Sequence, residues 1–283
     1  MDLRGKNAVV TGGNSGIGFV TARELARGGA RVILACRNEA KAGAAAAEIA
    51  RATGNGRIEV ARLDLASFAS ARACADELSA KLDRLDILVN NAGTYTQGDE
   101  TTADGIHPTM QANYFGPYLF TRLLLPLLSA APSARIVNVS SAMYAVGALN
   151  LAKPSFLVAR NGFSAYAASK LAMILFTQEL ARRTSGSGVS ANVLHPGLVN
   201  TKIMTLRKWY DIFIRAYVDR HSVDVEMGAR TSIFLAASDT VEGISGKYFA
   251  ACEERDPRLG RRAAALRESL WARTAEIVGL PAD

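Results

Sequence analysis

The sequence has few cysteines and histidines, and it lacks a long uncharged apolar run. Three cysteines (Cys36, Cys74 and Cys252) stand far apart without a C-x-x-C pair, and the three histidines form no tract. These spacings exclude a disulfide framework and the usual zinc motifs, so we expect reduced thiols and no metal site. The apolar stretch 119–128 is interrupted by Arg122 and Pro126, which excludes a bilayer-spanning helix there.

Little in the sequence points to secretion or to nucleic acid. The N-terminus runs from Met1 directly into an apolar strand, without the hydrophobic segment of a signal peptide, so we expect a cytoplasmic protein. The formal charge is +7 over 283 residues, but many of the arginines lie at 255–273 among glutamates. That mixture is typical of a solvated helical face. Because aromatic residues are not interleaved with the basic ones, no nucleic-acid partner is expected.

A glycine-rich turn follows the first β-prone run of the chain. Residues 7–11 predict a strand, glycines then occupy positions 12, 13, 16 and 18, and a helical pattern covers 19–27. Glycines allow a tight turn and a close approach of the backbone to a phosphate, and the N-terminus of a helix offers unpaired N–H groups. Strand, turn and helix together indicate the phosphate-binding unit of a dinucleotide fold.

Strand and helix patterns alternate through the rest of the chain with short connections. Further strands are predicted at 31–36, 58–63, 85–90, 135–141, 190–194 and 246–249, and helices at 39–52, 67–82, 105–129, from about 164 to 183 and at 226–237. Right-handed crossovers favour an α/β fold: a single doubly wound parallel-sheet Rossmann domain with helices on both faces. One domain is expected over 1–283, with a core at about 5–250, a small C-terminal helical substrate cap at about 198–226 and a peripheral helical tail at about 253–283.

The end of the second strand carries a basic residue where NAD-binding folds usually have an acid. An acidic side chain there binds the ribose hydroxyl groups of NAD, whereas an arginine can pair with the 2′-phosphate of NADP. This chain has Cys36-Arg37-Asn38 at that place. The pattern favours NADP(H) over NAD(H). An ordinary surface role for Arg37 stays open as the alternative.

Tyr166 and Lys170 form the second chemical pattern. Residues four apart share a face of a helix, so the phenol and the ammonium group lie near each other. A nearby positive charge lowers the pKa of a phenol, which normally lies near ~10, and makes the phenol a candidate acid or base. A half-buried tyrosine beside a solvated lysine is the alternative, unless sites for a cofactor and a substrate adjoin the pair.

These motifs occur in an order that resembles the short-chain dehydrogenase/reductase superfamily from about residue 5 to 250. The motifs that carry the resemblance are Thr11-Gly12-x-x-x-Gly16-Ile17-Gly18, Asn90-Asn91-Ala92-Gly93, Asn113, Ser140-Ser141, Tyr166-x-x-x-Lys170 and Pro196-Gly197. Within the superfamily, the stretches 11–18, 35–38, 171–182 and 195–197 look most like the group of retinol dehydrogenases, WW-domain oxidoreductase and protochlorophyllide reductase.

The resemblance implies a role for each catalytic residue. Tyr166 would be the acid/base, Lys170 would lower its pKa and bind the nicotinamide ribose, and Ser141 would polarise the carbonyl group. Asn113 would hold a water that connects Lys170 to solvent. The residues implied to bind the nucleotide are Gly12, Asn14, Ser15, Gly16, Ile17, Gly18, Arg37, Asn38, Asp64, Leu65, Asn91, Ala92, Gly93, Tyr166, Lys170, Pro196, Gly197 and Thr201. No metal ion is implied, because the cofactor carries the hydride chemistry.

The expected function is NADP(H)-dependent interconversion of a ketone or aldehyde with an alcohol. Ser141 and Tyr166 are 25 residues apart (166 − 141), and the extra chain near 145–163 is expected to form a wall over the substrate mouth. Apolar and aromatic residues at 142–163 and 202–217 favour a bulky hydrophobic substrate. Reduction of a C=C bond, an epimerase cycle and a sensor that binds NADPH without turnover stay open. So do a monomer and a homodimer.

Overall fold

A β-sheet of eight strands forms the centre of the computed structural model, which describes residues 1–159, 161–197 and 224–282. The strands are β1 (Asn7–Thr11), β2 (Arg31–Cys36), β3 (Ile58–Arg62), β4 (Ile87–Asn90), β5 (Ala134–Val139), β6 (Val189–His195), β7 (Tyr248–Ala250) and β8 (Glu253–Arg255). Their order across the sheet is β3-β2-β1-β4-β5-β6-β7-β8. The pairs from β3 to β7 are parallel, and β8 runs antiparallel to β7.

Helices cover both faces of this sheet. The α-helices are α1 (Gly16–Arg27), α2 (Glu39–Thr53), α3 (Phe68–Lys81), α4 (Pro108–Met110), α5 (Gly116–Ser129), α6 (Gly162–Arg183), α7 (Val225–Ala237), α8 (Arg261–Ala265) and α9 (Arg267–Val278). Side chains of α1, α2 and α7 pack into the hydrophobic core on one face, and those of α3, α5, α6 and α9 pack on the other. The expected doubly wound α/β fold is therefore confirmed.

The burial of the strands explains why their sequence pattern is clear. β4 is buried at every position, and β1 and β2 are buried at every position except the first. Parallel strands that are covered by helices on both faces lack an alternation of polar and apolar residues. They therefore read as short apolar runs, and the predicted bounds of β1 and β2 agree with the structure at both ends.

The single long helix predicted at 105–129 is divided in the structure. It begins only at Pro108, because proline fits the first turn of a helix, and a π-helical turn follows over Gln111–Phe115. In an α-helix the carbonyl group of Asn113 would accept from residue 117, but Pro117 has no N–H to donate. The prediction of one regular helix was wrong because this local change of hydrogen bonding was not anticipated.

The C-terminal segment differs from the peripheral helical tail expected at 253–283. It begins with strand β8, and helices start only at α8. Trp271 on α9 is 2% exposed and stacks on Phe176 of α6, with ring centroids 5.9 Å apart. The Tyr118 ring on α5 packs edge-on against Trp271 at 5.1 Å. Because α9 closes the core over α5 and α6, the description of the segment as peripheral was wrong.

The substrate cap expected at about 198–226 lies almost entirely outside the described residues, which resume at Asp224 before α7. Among the helices of the described ranges, none is long and apolar enough to cross a membrane. In the same ranges, no group of three histidine, cysteine or acidic side chains is arranged to hold a metal ion.

Candidate active site

The glycine-rich turn connects β1 to α1 at the carboxyl edge of the sheet. Gly12 and Gly16 have φ angles of +65° and +56°, a region that favours glycine. Ser15 precedes α1 in an extended conformation, and its side chain makes no capping hydrogen bond. The N–H groups in the first turn of α1 therefore have no side-chain cap and are available to an anion.

Gly18 and Asn91 hold this turn against the end of β4. A Cβ atom built on Gly18 would lie 2.5 Å from the carbonyl oxygen of Gly12 and closer still to Asn91 Nδ2. Asn91 Nδ2 donates to the Thr11 carbonyl at 2.9 Å, and the N–H groups of Asn91 and Ala92 donate to Thr11 Oγ1 at 3.0 Å. The strand order reverses between β1 and β4, where doubly wound folds bind nucleotides. The residues present thus fit a dinucleotide.

Side chains of β2 support the turn from below, which the sequence did not reveal. The Cys36 thiol is buried, and burial raises its pKa. The nearby backbone N–H groups of residues 12–14, in the turn, lower the same pKa by a smaller amount. A Cβ atom on Gly13 would lie 2.7 Å from Leu34 Cδ2. The turn is therefore packed closely on the end of β2, and this contact requires glycine at position 13.

The two residues that follow β2 have different environments. Arg37 is exposed, and it has no hydrogen bond or ion pair with any residue in the described part of the chain. Asn38 Oδ1 accepts from the Lys41 N–H at 2.9 Å and caps α2. Arg37 is thus free to meet an anion beside the turn. The Asn38 side chain caps α2, whereas the resemblance implied that it binds the nucleotide.

Asp64 and Leu65 follow β3 at the same edge of the sheet. Asp64 Oδ1 accepts from the Ala66 N–H at 3.0 Å, and the Asp64 N–H donates to Ser70 Oγ at 2.9 Å. Leu65 is 5% exposed and packs against Gly116 of α5. The Leu65 side chain belongs to the hydrophobic core and its carbonyl oxygen lies against Gly116, so only its backbone N–H group remains for the adenine contact that the resemblance implies.

The candidate catalytic residues meet where β5 ends and α6 begins. α6 starts at Gly162, one turn before Tyr166, and the Asn161 side chain caps it. Lys170 lies on the same face one turn further on, with its Nζ 5.4 Å from the centroid of the Tyr166 ring. The Ser141 hydroxyl group, just beyond β5, lies near enough to the Tyr166 hydroxyl group to lower the pKa of the phenol. The structure therefore brings the three side chains together.

The neighbouring serines have different partners. Ser140 is buried, and its Oγ donates to the Lys170 carbonyl at 2.8 Å. Ser141 Oγ accepts from the Met143 N–H at 3.3 Å, and the same hydroxyl group is the one that meets Tyr166. Ser140 thus ties β5 to α6, and Ser141 is the serine that shares the site with the phenol.

The pKa of Tyr166 is raised, not lowered as predicted. Burial raises this pKa, and the Ser141 hydroxyl group opposes the rise only in part. Lys170 is 4% exposed, burial lowers its pKa to about 8, and its Nζ donates to the Val139 carbonyl at 3.0 Å. The predicted lowering by Lys170 was wrong: the amine donates to the backbone of β5, and burial is the largest influence on the pKa of the phenol.

Asn113 lies in the π-helical turn and is 1% exposed. Its Oδ1 accepts from the Thr94 N–H at 2.7 Å, and its Nδ2 donates to the Thr94 carbonyl at 2.9 Å. A Cβ atom built on Gly93 would lie 3.6 Å from Asn113 Oδ1 and 3.7 Å from Lys170 Nζ. Asn113, Gly93 and Lys170 therefore converge, as expected. Because the side-chain amide of Asn113 is bonded to Thr94, the backbone carbonyl group of Asn113 is the better candidate to hold a water.

The chain between β6 and the segment outside the described residues contains Pro196 and Gly197, and Gly197 has a φ angle of +83°. Thr201, expected to contact the nicotinamide, lies outside the described residues. His195 ends β6, and its Nδ1 is 2.6 Å from the Tyr248 hydroxyl oxygen. The sequence analysis missed this pair because Tyr248 belongs to the last parallel strand, far along the chain.

The extra chain at 145–163 is anchored in the core. Phe156 is fully buried, and its ring centroid is 5.0 Å from that of Phe115. Leu149 and Leu157 form an isolated antiparallel bridge. A residue that was not expected here, Tyr95, packs edge-on against Tyr166 with ring centroids 6.1 Å apart. Its place just after Asn90-Asn91-Ala92-Gly93 is the signal that points to it.

The strand order and the tyrosine–lysine pair beside a nucleotide cradle define an oxidoreductase of the doubly wound α/β class. The family model for short chain dehydrogenases matches residues 6–210, and the chain belongs to this family. It is 39% identical to Retinol dehydrogenase 14 of Homo sapiens, an alignment that covers 98% of this chain and 88% of that protein.

Solved structures share the fold. An uncharacterized protein from Mycobacterium paratuberculosis has a TM-score of 0.77 and 32% identity, covering 100% of this chain and 96% of its own. A blue fluorescent protein from a metagenomic library, in complex with NADPH, has a TM-score of 0.71 and 30% identity, and the match covers 88% of this chain and 97% of that one. The 3-ketoacyl-(acyl-carrier-protein) reductase from Brucella melitensis, complexed with NADH, has a TM-score of 0.68 and 25% identity, and the match covers 88% of this chain and 97% of that one.

Proposed function

We propose that the protein is an NADP(H)-dependent oxidoreductase that interconverts a ketone or aldehyde with an alcohol. The observation that carries this proposal is the convergence of Ser141, Tyr166 and Lys170 next to the residues that hold the glycine-rich turn. A hydroxyl group, a phenol and a buried amine at a nucleotide cradle suit the protonation of a carbonyl oxygen. When bound, the nicotinamide supplies or accepts the hydride.

Each side chain has its own part in the proposed reaction. The raised pKa keeps the Tyr166 phenol protonated at neutral pH, so in the reductive direction it donates its proton to the carbonyl oxygen. Ser141 donates a hydrogen bond to the same oxygen. Lys170 Nζ binds the ribose hydroxyl groups, and its pKa of about 8 suits the return of a proton to Tyr166. A water bound to the backbone carbonyl group of Asn113 links Lys170 to solvent.

The preference for NADP(H) rests on Arg37. Its guanidinium group is exposed beside the turn and is unpaired among the described residues, and no acidic residue ends β2. A charge-assisted hydrogen bond to a phosphate contributes about 1.5–3 kcal/mol, roughly 10- to 150-fold in affinity. Arg37→Glu is therefore expected to weaken NADPH binding by about that factor and to leave NADH binding nearly unchanged. Arg51→Glu, at an exposed position of α2, is the control; equal losses for both nucleotides would refute this role.

A bulky hydrophobic substrate is supported by exposed apolar side chains on the stretch of chain that precedes Tyr166. Val146, Val158 and Phe163 are 62%, 54% and 54% exposed on the extra chain and at the start of α6. Exposed apolar side chains in one part of a surface are typical of sites for apolar ligands. The relatives named retinol dehydrogenases make a long polyene aldehyde a reasonable first substrate to test.

The proposal also covers the organisation of the chain. We treat residues 1–283 as one domain, because both hydrophobic cores pack on the same sheet. Residues 198–226 are proposed to cap the substrate, since they connect the end of β6 to α7 at the carboxyl edge. A cytoplasmic location is proposed on the basis of the three free cysteines.

The experiment measures NADPH binding by fluorescence and then NADPH oxidation with all-trans-retinal, nonanal, cyclohexanone and the enone 3-penten-2-one. Tyr166→Phe is expected to retain NADPH binding and to lower kcat by about 100- to 10,000-fold, because the proton donor is lost. The control Tyr118→Phe removes a hydroxyl group that bonds to the Trp271 backbone and should change neither quantity.

Other outcomes would change the assignment. Near-wild-type kcat in Tyr166→Phe would mean that another group donates the proton. Reduction of the enone at its C=C bond, with no carbonyl reduced, would favour the C=C reductase. Tight NADPH binding without turnover of any of the four compounds would favour the sensor, and the absence of NADPH binding would refute the proposed role of the glycine-rich turn.

A further inference from the structure

Three aromatic side chains outside the proposed catalytic set form a continuous contact at the carboxyl edge of the sheet. The Tyr248 hydroxyl oxygen is 2.6 Å from His195 Nδ1, and the two rings stack with centroids 5.6 Å apart and 19° between their planes. Tyr248 also packs edge-on against Tyr144, with ring centroids 5.4 Å apart. Tyr248 thus connects two loops that are distant in sequence.

One end of this contact lies where the chain leaves β6. His195 is the last residue of β6 and lies opposite Ala250 of β7. Pro196 follows and has no N–H group, so it cannot donate a further bond to the sheet. The His195 side chain is therefore the last polar anchor before Pro196 and Gly197, the loop proposed to contact the nicotinamide.

The other end reaches the turn that carries Ser141. Tyr144 lies on the short 3-10 helix Ala142–Val146, which Ser141 caps. This helix is packed closely on α6, because a Cβ atom on Gly147 would lie 2.5 Å from the carbonyl oxygen of Ala167, the residue after Tyr166. Movement of Tyr144 would therefore move the surroundings of both Ser141 and Tyr166.

The centre of the contact is buried. Tyr248 is 5% exposed and is held in β7, which pairs with β6 on one side and β8 on the other. Asp256 and Arg258, which carry opposite charges, are the ionised groups that act on Tyr144. Their effects on the phenol oppose each other, and the three side chains are joined by one hydrogen bond and by ring packing, so the contact is expected to depend little on salt.

We propose that Tyr248 joins His195 and Tyr144 into a brace that fixes the spacing between the nicotinamide loop and the Ser141 turn. The inference rests on the proposed function, because it assigns these three as positioning residues for hydride transfer. They act through the loops that they hold and do not touch the reacting atoms. Misplacement of the reacting groups by about 1 Å can cost up to ~100-fold in rate, so the loss of one bond in the brace is expected to cost about tenfold.

The test replaces single hydroxyl groups and reads the position of the nicotinamide without turnover. Tyr248→Phe is compared with Tyr118→Phe, which removes a buried hydroxyl group on α5. NADPH is titrated into each protein, and both its affinity and the enhancement of its nicotinamide emission are measured. Tyr248→Phe should keep the affinity within about threefold, because the turn and Arg37 are intact, and should lose at least half of the emission enhancement.

His195 supplies the second arm of the experiment. His195→Phe removes the hydrogen bond, whereas His195→Asn keeps a polar atom near the position of Nδ1 and should restore most of the emission enhancement. Hydride transfer is then followed in a single turnover with the carbonyl compound that the wild-type protein reduces fastest. Tyr248→Phe and His195→Phe should each slow this step about tenfold, and the double variant should be no slower than either, because both remove the same bond.

The chain has three histidines, so the contact can also be observed directly. In the nucleotide-free protein, the imidazole ¹⁵N resonances of His195 should change in Tyr248→Phe and stay unchanged in Tyr118→Phe. Unchanged resonances, unchanged emission in Tyr248→Phe, or additive losses in the double variant would each overturn the brace. If the wild-type protein binds NADPH but reduces no carbonyl compound, the proposed function fails, while the emission still decides whether the nicotinamide is positioned by Tyr248.

Discussion

Gly18→Ala tests whether the close packing of the glycine-rich turn holds a nucleotide. The new Cβ atom would lie 2.5 Å from the Gly12 carbonyl oxygen, where an ordinary contact begins at 3.4 Å, so the backbone must move by about 0.9 Å (3.4 − 2.5). Overpacking of this kind costs about 1–3 kcal/mol. The displaced Asn91 amide would also lose its bond to the Thr11 carbonyl, which contributes about 1 kcal/mol.

The two costs add to about 2–4 kcal/mol, which corresponds to roughly 30- to 1,000-fold in NADPH affinity if the turn must regain its shape to bind. NADPH titration measures the affinity, and urea unfolding of the nucleotide-free protein measures the stability. Gly43→Ala is the matched control: Gly43 lies inside α2 with nothing within 4 Å of a new Cβ atom, so alanine should stabilise the fold by about 0.5–1 kcal/mol. A folded Gly18→Ala protein with wild-type NADPH affinity would refute the reasoning.

Three further predictions concern buried groups and are measured by urea unfolding of the nucleotide-free protein. Between about pH 8 and 10.5 the unfolded chain keeps the proton of Lys170, while the folded state releases it. The free energy of unfolding of the wild-type protein should therefore rise over this range by on the order of 3 kcal/mol relative to that of Lys170→Met. A difference between the two proteins that does not change with pH would contradict the burial of the amine. Trp271→Ala should lose about 3–5 kcal/mol because its ring fills the core; a loss below 1 kcal/mol would place it at the surface. Thr274→Val should lower the free energy of unfolding by about 1–3 kcal/mol, because the buried Tyr114 hydroxyl group loses its hydrogen-bond partner at 2.7 Å. The double variant with Tyr114→Phe should regain most of that stability. Additive losses of stability in the double variant would contradict the hydrogen bond.

Features with a local cause could be predicted from the sequence. The apolar runs of β1 and β2 and the glycines after β1 identify the strands and the turn, because burial on both faces and positive φ angles act on single positions. The four-residue spacing of Tyr166 and Lys170 places both on one face of α6. Parallel strands end at a common edge, and the motifs that follow β1 and β4 meet there in the structure.

Features that depend on distant contacts could not be predicted in this way. The direction of the Tyr166 pKa follows from burial and from the bond of Lys170 to the Val139 carbonyl, and neither is visible in a Y-x-x-x-K pattern. The Asn38 cap depends on where α2 begins. The contact of His195 with Tyr248 needs β6 and β7 to be neighbours in a known register, which a single sequence does not supply.

The burial of α9 delays the completion of one half of the core until long after α5 and α6 have been synthesised. Tyr118 and Phe176 belong to helices that are made well before Trp271, and their rings have no cover on that side until α9 arrives. Contacts between residues so far apart in sequence slow folding and leave apolar surface exposed to other chains. A nascent chain that stops short of α9 would therefore present the α5–α6 face to chaperones or to a second nascent chain.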